Sequence, residues 1–371
     1  MKRILVATIS LALTASFLPV ATAAKAQNNW STTQKIIYVG LTPKDQPDFW
    51  TAVEEETAET ETSGETMLSY AKSTVDEAIT FWKQTTRGKM KFGVSRFVIG
   101  KAGTAIKHCN SSADTKSAMK IAGLKSIPIG THLVTVNVND SCGYAGLGEQ
   151  GGNSLLLKSF GTTTLIHELG HNFYFYHSSS LTCENSDFTK FNATNCSVEE
   201  YGDFRDLMGN DDWCPSATLS ATQRATTFST PKALNLTIGA DTTVDESRLS
   251  TDRIVYQFNY KTIWYFFEYY IPQDDRCTSI SSFAYKPQLQ VRMAGPAWAK
   301  AKGSAIGPML IQRRDSDLPT SVVNLDPDSL DSDWLLTGFL EGEQFQLPGA
   351  PYLLTVKSTG TTTAVFTLTK S

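Results

Sequence analysis

The sequence predicts an α+β protein in two parts: a twisted mixed sheet with packed helices, then an all-β, sandwich-like region. Three observations predict it. Between about 35 and 175, β-type runs alternate with segments whose apolar residues recur at helical spacing. After Pro231 that spacing disappears, and β-type runs separated by Gly, Pro, Asp and Ser turns follow one another to the end. The length, 371 residues, exceeds one ordinary domain. The expected divisions are 1–26 for a secretory signal, 31–232 for the mixed domain and 233–371 for the β domain.

Lys2 and Arg3 form a positive n-region, Ile4 to Val20 an apolar core, and Ala21-Thr22-Ala23 or Ala24-Lys25-Ala26 a small-residue cleavage site. A membrane anchor needs about 20 apolar residues. Thr8, Ser10, Thr14, Ser16 and Pro19 interrupt this one, so the chain is expected to be secreted, or periplasmic in a bacterium, with no stable membrane insertion after cleavage. Cleavage removes three positive charges, Lys2, Arg3 and Lys25, and takes the net charge from −4 to −7. That balance favours solubility and gives no footing for nucleic acid as a partner. A content of 41% hydrophobic and 19% charged residues is that of a soluble globular protein. Nothing in the sequence fixes an oligomeric state.

The elements follow in order. Residues 35–41 (KIIYVGL) read as the first strand. Glu54, Glu55, Glu56, Glu59, Glu61 and Glu65 crowd a stretch without Lys or Arg, which reads as a solvated acidic loop rather than a cation site. Leu68, Ala71, Val75, Ile79 and Trp82 put a helix at about 65–84. A strand at 91–99, a helix at about 111–123 and a strand at 132–138 come next, with His132 structural. The glycine-rich 141–153 reads as a mobile loop, and 153–159 as a short strand. A short helix is expected at 220–228, then strands at 253–260, 263–271, 288–293, 304–312, 352–358 and 362–369. Trp264, Tyr265, Phe266 and Phe267 read as a core strand rather than a carbohydrate platform. The acidic run 324–333 has the oxygen ligands that Ca2+ takes but not the EF-hand spacing, so it too reads as a solvated loop.

The chemistry is concentrated in 161–178, GTTTLIHELGHNFYFYHS. Positions i and i+4 of a helix share a face, so His167 and His171 can address one metal ion. Glu168 follows the first of them and can reach a water in the ion's open position, whose pKa zinc lowers towards ~7. His177 lies too far on for the same face; the chain must leave the helix and turn back to supply a third ligand. A buried amphipathic helix, with Leu165, Leu169 and Phe173 as its stripe, would explain the apolar residues but not four such groups in a chain with five histidines. Three ligands beside a carboxylate point to an open Zn2+ site, because structural zinc usually has four protein ligands. Of the six cysteines, Cys109, Cys142, Cys183, Cys196, Cys214 and Cys277, none forms a CxxC pair, so disulfides are expected. Cys183 with Cys196 is the favoured pair, closing a short loop just past His177.

HExxHxxxxxH with a later Met-containing turn, GDFRDLMGN, resembles the metzincin clan of zinc peptidases. Within that clan, HELGHN followed by EYGDxxxxMG looks most like the gametolysin family, secreted peptidases of algae and bacteria. The matching residues are His167, Glu168, Leu169, Gly170, His171, Asn172 and His177, then Glu200, Tyr201, Gly202, Asp203, Met208 and Gly209. The resemblance implies a metzincin-like catalytic domain over 31–232 acting on peptide or protein substrates outside the cell. His167, His171 and His177 would bind Zn2+, Glu168 would be the general base, and Met208 an apolar floor beneath the histidines. It also implies a sheet-edge strand that pairs with an extended substrate, a role assigned to Ser154, Leu155, Leu156 and Leu157. One departure stands out: Tyr174 occupies the position where most metzincins turn on Gly. A bulky residue at positive φ costs on the order of 1 kcal/mol, so either a neighbour such as Asn172 takes that conformation or the turn differs. That departure is also what favours the alternative, an inactive zinc-holding adhesin whose β domain does the work.

Overall fold

The computed structural model describes residues 33–42, 47–51, 66–101, 111–138, 142–158, 160–183, 194–203, 206–209, 218–271, 287–294, 309–314, 335–336 and 338–371. The expected signal at 1–26, the glutamate-rich stretch, the acidic run 324–333 and Cys109, Cys214 and Cys277 lie outside them.

The protein is mixed α+β. Its first sheet contains β1 (Lys35–Thr42), β2 (Arg96–Lys101), β3 (Thr131–Val136), β4 (Gly146–Gly148) and β5 (Ser154–Leu157) in the order β2-β1-β3-β5-β4. The pairs β1–β2, β1–β3 and β3–β5 are parallel, and β4 runs antiparallel to β5. Burial explains the β-branched and aliphatic composition. Ile36, Tyr38, Val134, Val136, Leu155 and Leu157 face one core, while Val39, Leu41 and Leu133 face another. A parallel sheet covered on both faces requires this near-continuous apolar run.

Helices supply the cover. Thr66 caps α1 (Met67–Thr85) by accepting from the Ser69 amide at 3.1 Å. That helix buries Ala71, Val75, Ala78 and Trp82 in the same core as Leu165 and Leu169 of α3 (Thr162–Asn172). On the opposite face α2 (Ser111–Ile121) contributes Ala118. β2 begins later than the 91–99 expected, because only Phe92 of the preceding stretch bridges the sheet and Val94 is 92% exposed.

The C-terminal part has two sheets. The larger runs β7 (Cys196–Glu199), β6 (Ser180–Cys183), β13 (Met309–Arg314), β12 (Gln288–Ala294), β11 (Ile263–Tyr270), β10 (Tyr256–Tyr260), β8 (Leu234–Asn235), and β14 (Leu335–Leu336) pairs with β13. The smaller runs β15 (Gln344–Gln346), β16 (Tyr352–Thr359), β17 (Thr363–Lys370), β9 (Asp241–Asp245). They share one core, with Tyr265, Phe267, Val291 and Met293 from the larger and Leu354, Val356, Phe366 and Leu368 from the smaller. Trp264 stands 41% exposed at the rim, while its neighbours Tyr265 and Phe267 are interior. α4 (Ala221–Phe228), capped by Ser220, leads into this part.

The hairpin β6–β7 had no counterpart among the expected strands. Each strand has four residues, and β6 finds its other partner far downstream, pairing parallel to β13 through Ser180↔Leu310 and Leu181↔Ile311. The sheet therefore crosses the expected division at 232/233. Cys183 and Cys196 are register partners in the hairpin and are disulfide-bonded.

Candidate metal centre

α3 presents His167 and His171 one turn apart, with ring centroids 4.9 Å from each other. The helix ends in a hydrogen-bonded C-terminal turn. The Phe175 amide returns to the Gly170 carbonyl at 2.9 Å, and the Tyr174 amide to that of His171 at 2.9 Å. This is the Schellman pattern, which requires a left-handed residue at the position of Tyr174, usually glycine. Tyr174 itself takes that conformation, at φ +69°; Asn172 stays within the helix. Its ring lies against Gly151, where even a Cβ would come within about 2.1 Å of it. Burial of Phe173 and Phe175 on either side offsets a strain of about 1 kcal/mol. The reversed chain delivers His177, whose ring lies 4.7 Å from that of His171 and 5.5 Å from that of His167.

One potential ligand atom from each of the three histidines lies within 4.8 Å of the others. Each ring is held through Nδ1: His167 donates to the Leu207 carbonyl at 2.8 Å, His171 to that of Phe175 at 2.9 Å, and His177 to the Glu200 carboxylate at 2.6 Å. These partners only accept, so they fix the Nδ1–H tautomer and leave each Nε2 with a free lone pair. Burial pushes His167 and His171 down to about 4 and lowers His177 as well. All three are therefore neutral at pH 7, the state that ligates metal. Among the described residues no fourth His, Cys, Asp or Glu joins the group. Three imidazoles with an open side suit zinc.

Glu168, 7% exposed, lies beside the triad. Burial raises its carboxyl to about 7, and the Gly148 amide donates to it. β4 passes so close that a Cβ on Gly146 would meet the carboxylate at 2.5 Å, and one on Gly148 the Glu168 carbonyl oxygen at 2.5 Å. The glycines expected to form a mobile loop are thus an edge strand that only glycine lets approach the helix. The expectation that Ser154–Leu157 is the sheet edge is wrong for the same reason. β5 pairs with β3 on one side and β4 on the other, so its main chain is engaged on both.

Beneath the helix, Met208 is fully buried, and a Cβ on Gly170 would lie 2.5 Å from its Sδ. Asn172 donates to the carbonyls of Glu149 and Ser154, tying the helix end to β5. Its Oδ1 meets His132, a buried residue also bonded to Gln34 and far from a ligand role. Glu200 and Tyr201 matched the motif without an assigned task. Glu200 anchors His177, and the Tyr201 ring, 40% exposed and at φ +67°, lies 3.7 Å from that of His177. The acceptors Leu207 and Phe175 had no sequence signal, because they act through backbone carbonyls. No membrane-spanning helix occurs among the described residues.

Comparison with protein-family models, with curated proteins and with solved structures returned no match.

Proposed function

We propose that the protein is a secreted zinc-dependent endopeptidase with a metzincin-like catalytic domain, most like the gametolysin family, followed by a sandwich-like β domain, and that it cleaves extracellular or cell-wall proteins. The observation that carries this reading is the tethered triad: three neutral imidazoles, each fixed through Nδ1, turn free Nε2 atoms toward one another beside a buried carboxyl. His167, His171 and His177 would hold Zn2+, which when bound supplies Lewis acidity toward a peptide carbonyl and toward water. Glu168 takes the proton that water gives up as it attacks and returns it to the departing amine nitrogen. Burial of this carboxyl, which raises it in the metal-free chain, keeps the proton exchange with the reacting water away from bulk solvent. The outer edge of β4 offers main-chain groups to an extended peptide, which would lie alongside Glu168. The feature that favoured an inactive metal-holding module, Tyr174, is accommodated by the turn without disturbing the ligand set.

Purified protein should hold about one zinc per chain by the ligand count, cleave casein, lose that activity to a chelator and regain it with zinc. Glu168→Gln should keep the zinc and cleave ~10²–10⁴-fold more slowly. Cleavage by this variant at the wild-type rate, or by chelated protein, would discard the mechanism.

A further inference from the structure

The C-terminal part contributes a residue to the support of the triad. Arg292, on β12, is buried, and its guanidinium spans two partners. Nη1 lies 2.5 Å from the Asp203 carboxylate, and Nε pairs with Glu268 of β11. Asp203 belongs to the EYGD segment, and its amide donates to the Ser178 carbonyl at 3.1 Å, one residue past His177. Asp206 stands beside it: its carboxylate accepts from the Met208 amide at 2.9 Å and from the Ser220 amide at 2.9 Å. The Ser178 amide in turn donates to the Met208 carbonyl at 2.6 Å. Between Asp206 and Met208 lies Leu207, whose carbonyl sets the tautomer of His167. On the other flank, the Leu310 amide of β13 donates to the Ser179 carbonyl at 2.9 Å. The guanidinium also feels all three carboxylates, Asp203, Glu268 and Asp206, whose negative charge favours its ionised form in a buried site.

We propose that the C-terminal sheet is an integral part of the metal centre and that Arg292 is its positioning residue, holding Asp203 and the Met208 turn so that the Leu207 carbonyl and the chain after His177 stay in place. This rests on the reading of the triad as a zinc site. It makes the β region a structural half of the catalytic apparatus rather than an appended binding module. A guanidinium bridges two carboxylates in fixed directions; an ammonium is a compact point charge without that planar fork.

The test uses the full chain. In Arg292→Lys the charge remains but the bridge between Asp203 and Glu268 is lost. Zinc affinity of the folded protein, measured well below its melting temperature, should fall ~10–100-fold, as for other groups that orient metal ligands. The visible spectrum of the cobalt-loaded variant should shift as well. Tyr265→Phe removes a hydrogen bond to the Pro348 carbonyl on the face of β11 opposite Glu268, in the core between the two sheets, and should leave both readouts at wild type. Should Arg292→Lys not fold, Asp203→Asn keeps the shape, removes the ion pair and should weaken zinc in the same way. Wild-type zinc affinity and cobalt spectrum in either folded variant would overturn the proposal while leaving the peptidase reading intact. A wild-type chain that binds no zinc would remove both.

Discussion

The two halves of the triad's support differ in kind. His167 and His171 stand on one helix, and much of what orders them is close in sequence: the α3 turn, Leu165 beneath it and the Phe175 carbonyl that holds His171, with the Leu207 carbonyl reaching His167 from 40 residues on. His177, Glu200 and the Met208 turn sit instead on irregular chain. They are ordered by β6 pairing with β13 and by Arg292 reaching Asp203. The first half is a helix face; the second is an assembly of distant segments. The proposed ligand set draws on both, and the position of its third member is tied to the C-terminal sheet through these contacts. Helical geometry is available locally, whereas the return of the third ligand must be fixed by long-range contacts.

Three experiments would sharpen or break this contrast. The largest effect should follow from His171→Ala, which removes a helix-borne ligand; after dialysis the variant should retain no zinc, and wild-type metal content would exclude His171 from the site. The second concerns Glu168 in metal-free protein. Its carboxyl sits at about 7, above its ordinary value of 4.5, because burial disfavours the charge. The folded chain thus binds that proton more tightly than the unfolded chain, so stability falls as pH rises through that window and the cost is complete above pH 7. At ~1.36 kcal/mol per pH unit, metal-free Glu168→Gln should exceed wild type by about 3 kcal/mol at pH 8 and match it at pH 4. Denaturant titrations at the two pH values would show it; an equal difference at both would refute the burial cost. The smallest effect belongs to the remote half. Glu200→Gln leaves every ligand in place but weakens the acceptor of the His177 Nδ1–H, and should reduce zinc affinity ~10–100-fold. If that loss equals the one at His171, the two halves do not differ as described.

Much of the helix-borne half was legible. The spacing of His167 and His171 gives their shared face, with Glu168 following the first, and the burial of Leu165 and Leu169 follows from the same period. The strands at 35–41 and 132–138 were legible as β-branched runs within two residues of β1 and β3 at either end. Two errors share one cause. Gly146–Gly148 reads as a loop and Ser154–Leu157 as an edge, because glycine content signals irregular chain when the surroundings are invisible. In the folded chain those glycines are what let an edge strand lie against Glu168. Tyr174 is the converse case. Its side chain argues against the left-handed turn, yet the Schellman bonds and the buried phenylalanines on either side impose it.

By itself the sequence determined what is written in local period: two histidines on one helix face with a glutamate following the first, a third histidine beyond a helix end, and the alternation that makes strands. Tertiary structure alone decided which strand is the edge, which carbonyls fix the imidazole tautomers, and that Arg292 closes a buried network with Asp203 and Glu268. The reason is physical. Backbone acceptors carry no side-chain identity, and a buried ion pair between segments far apart in the chain leaves no periodic trace in either one.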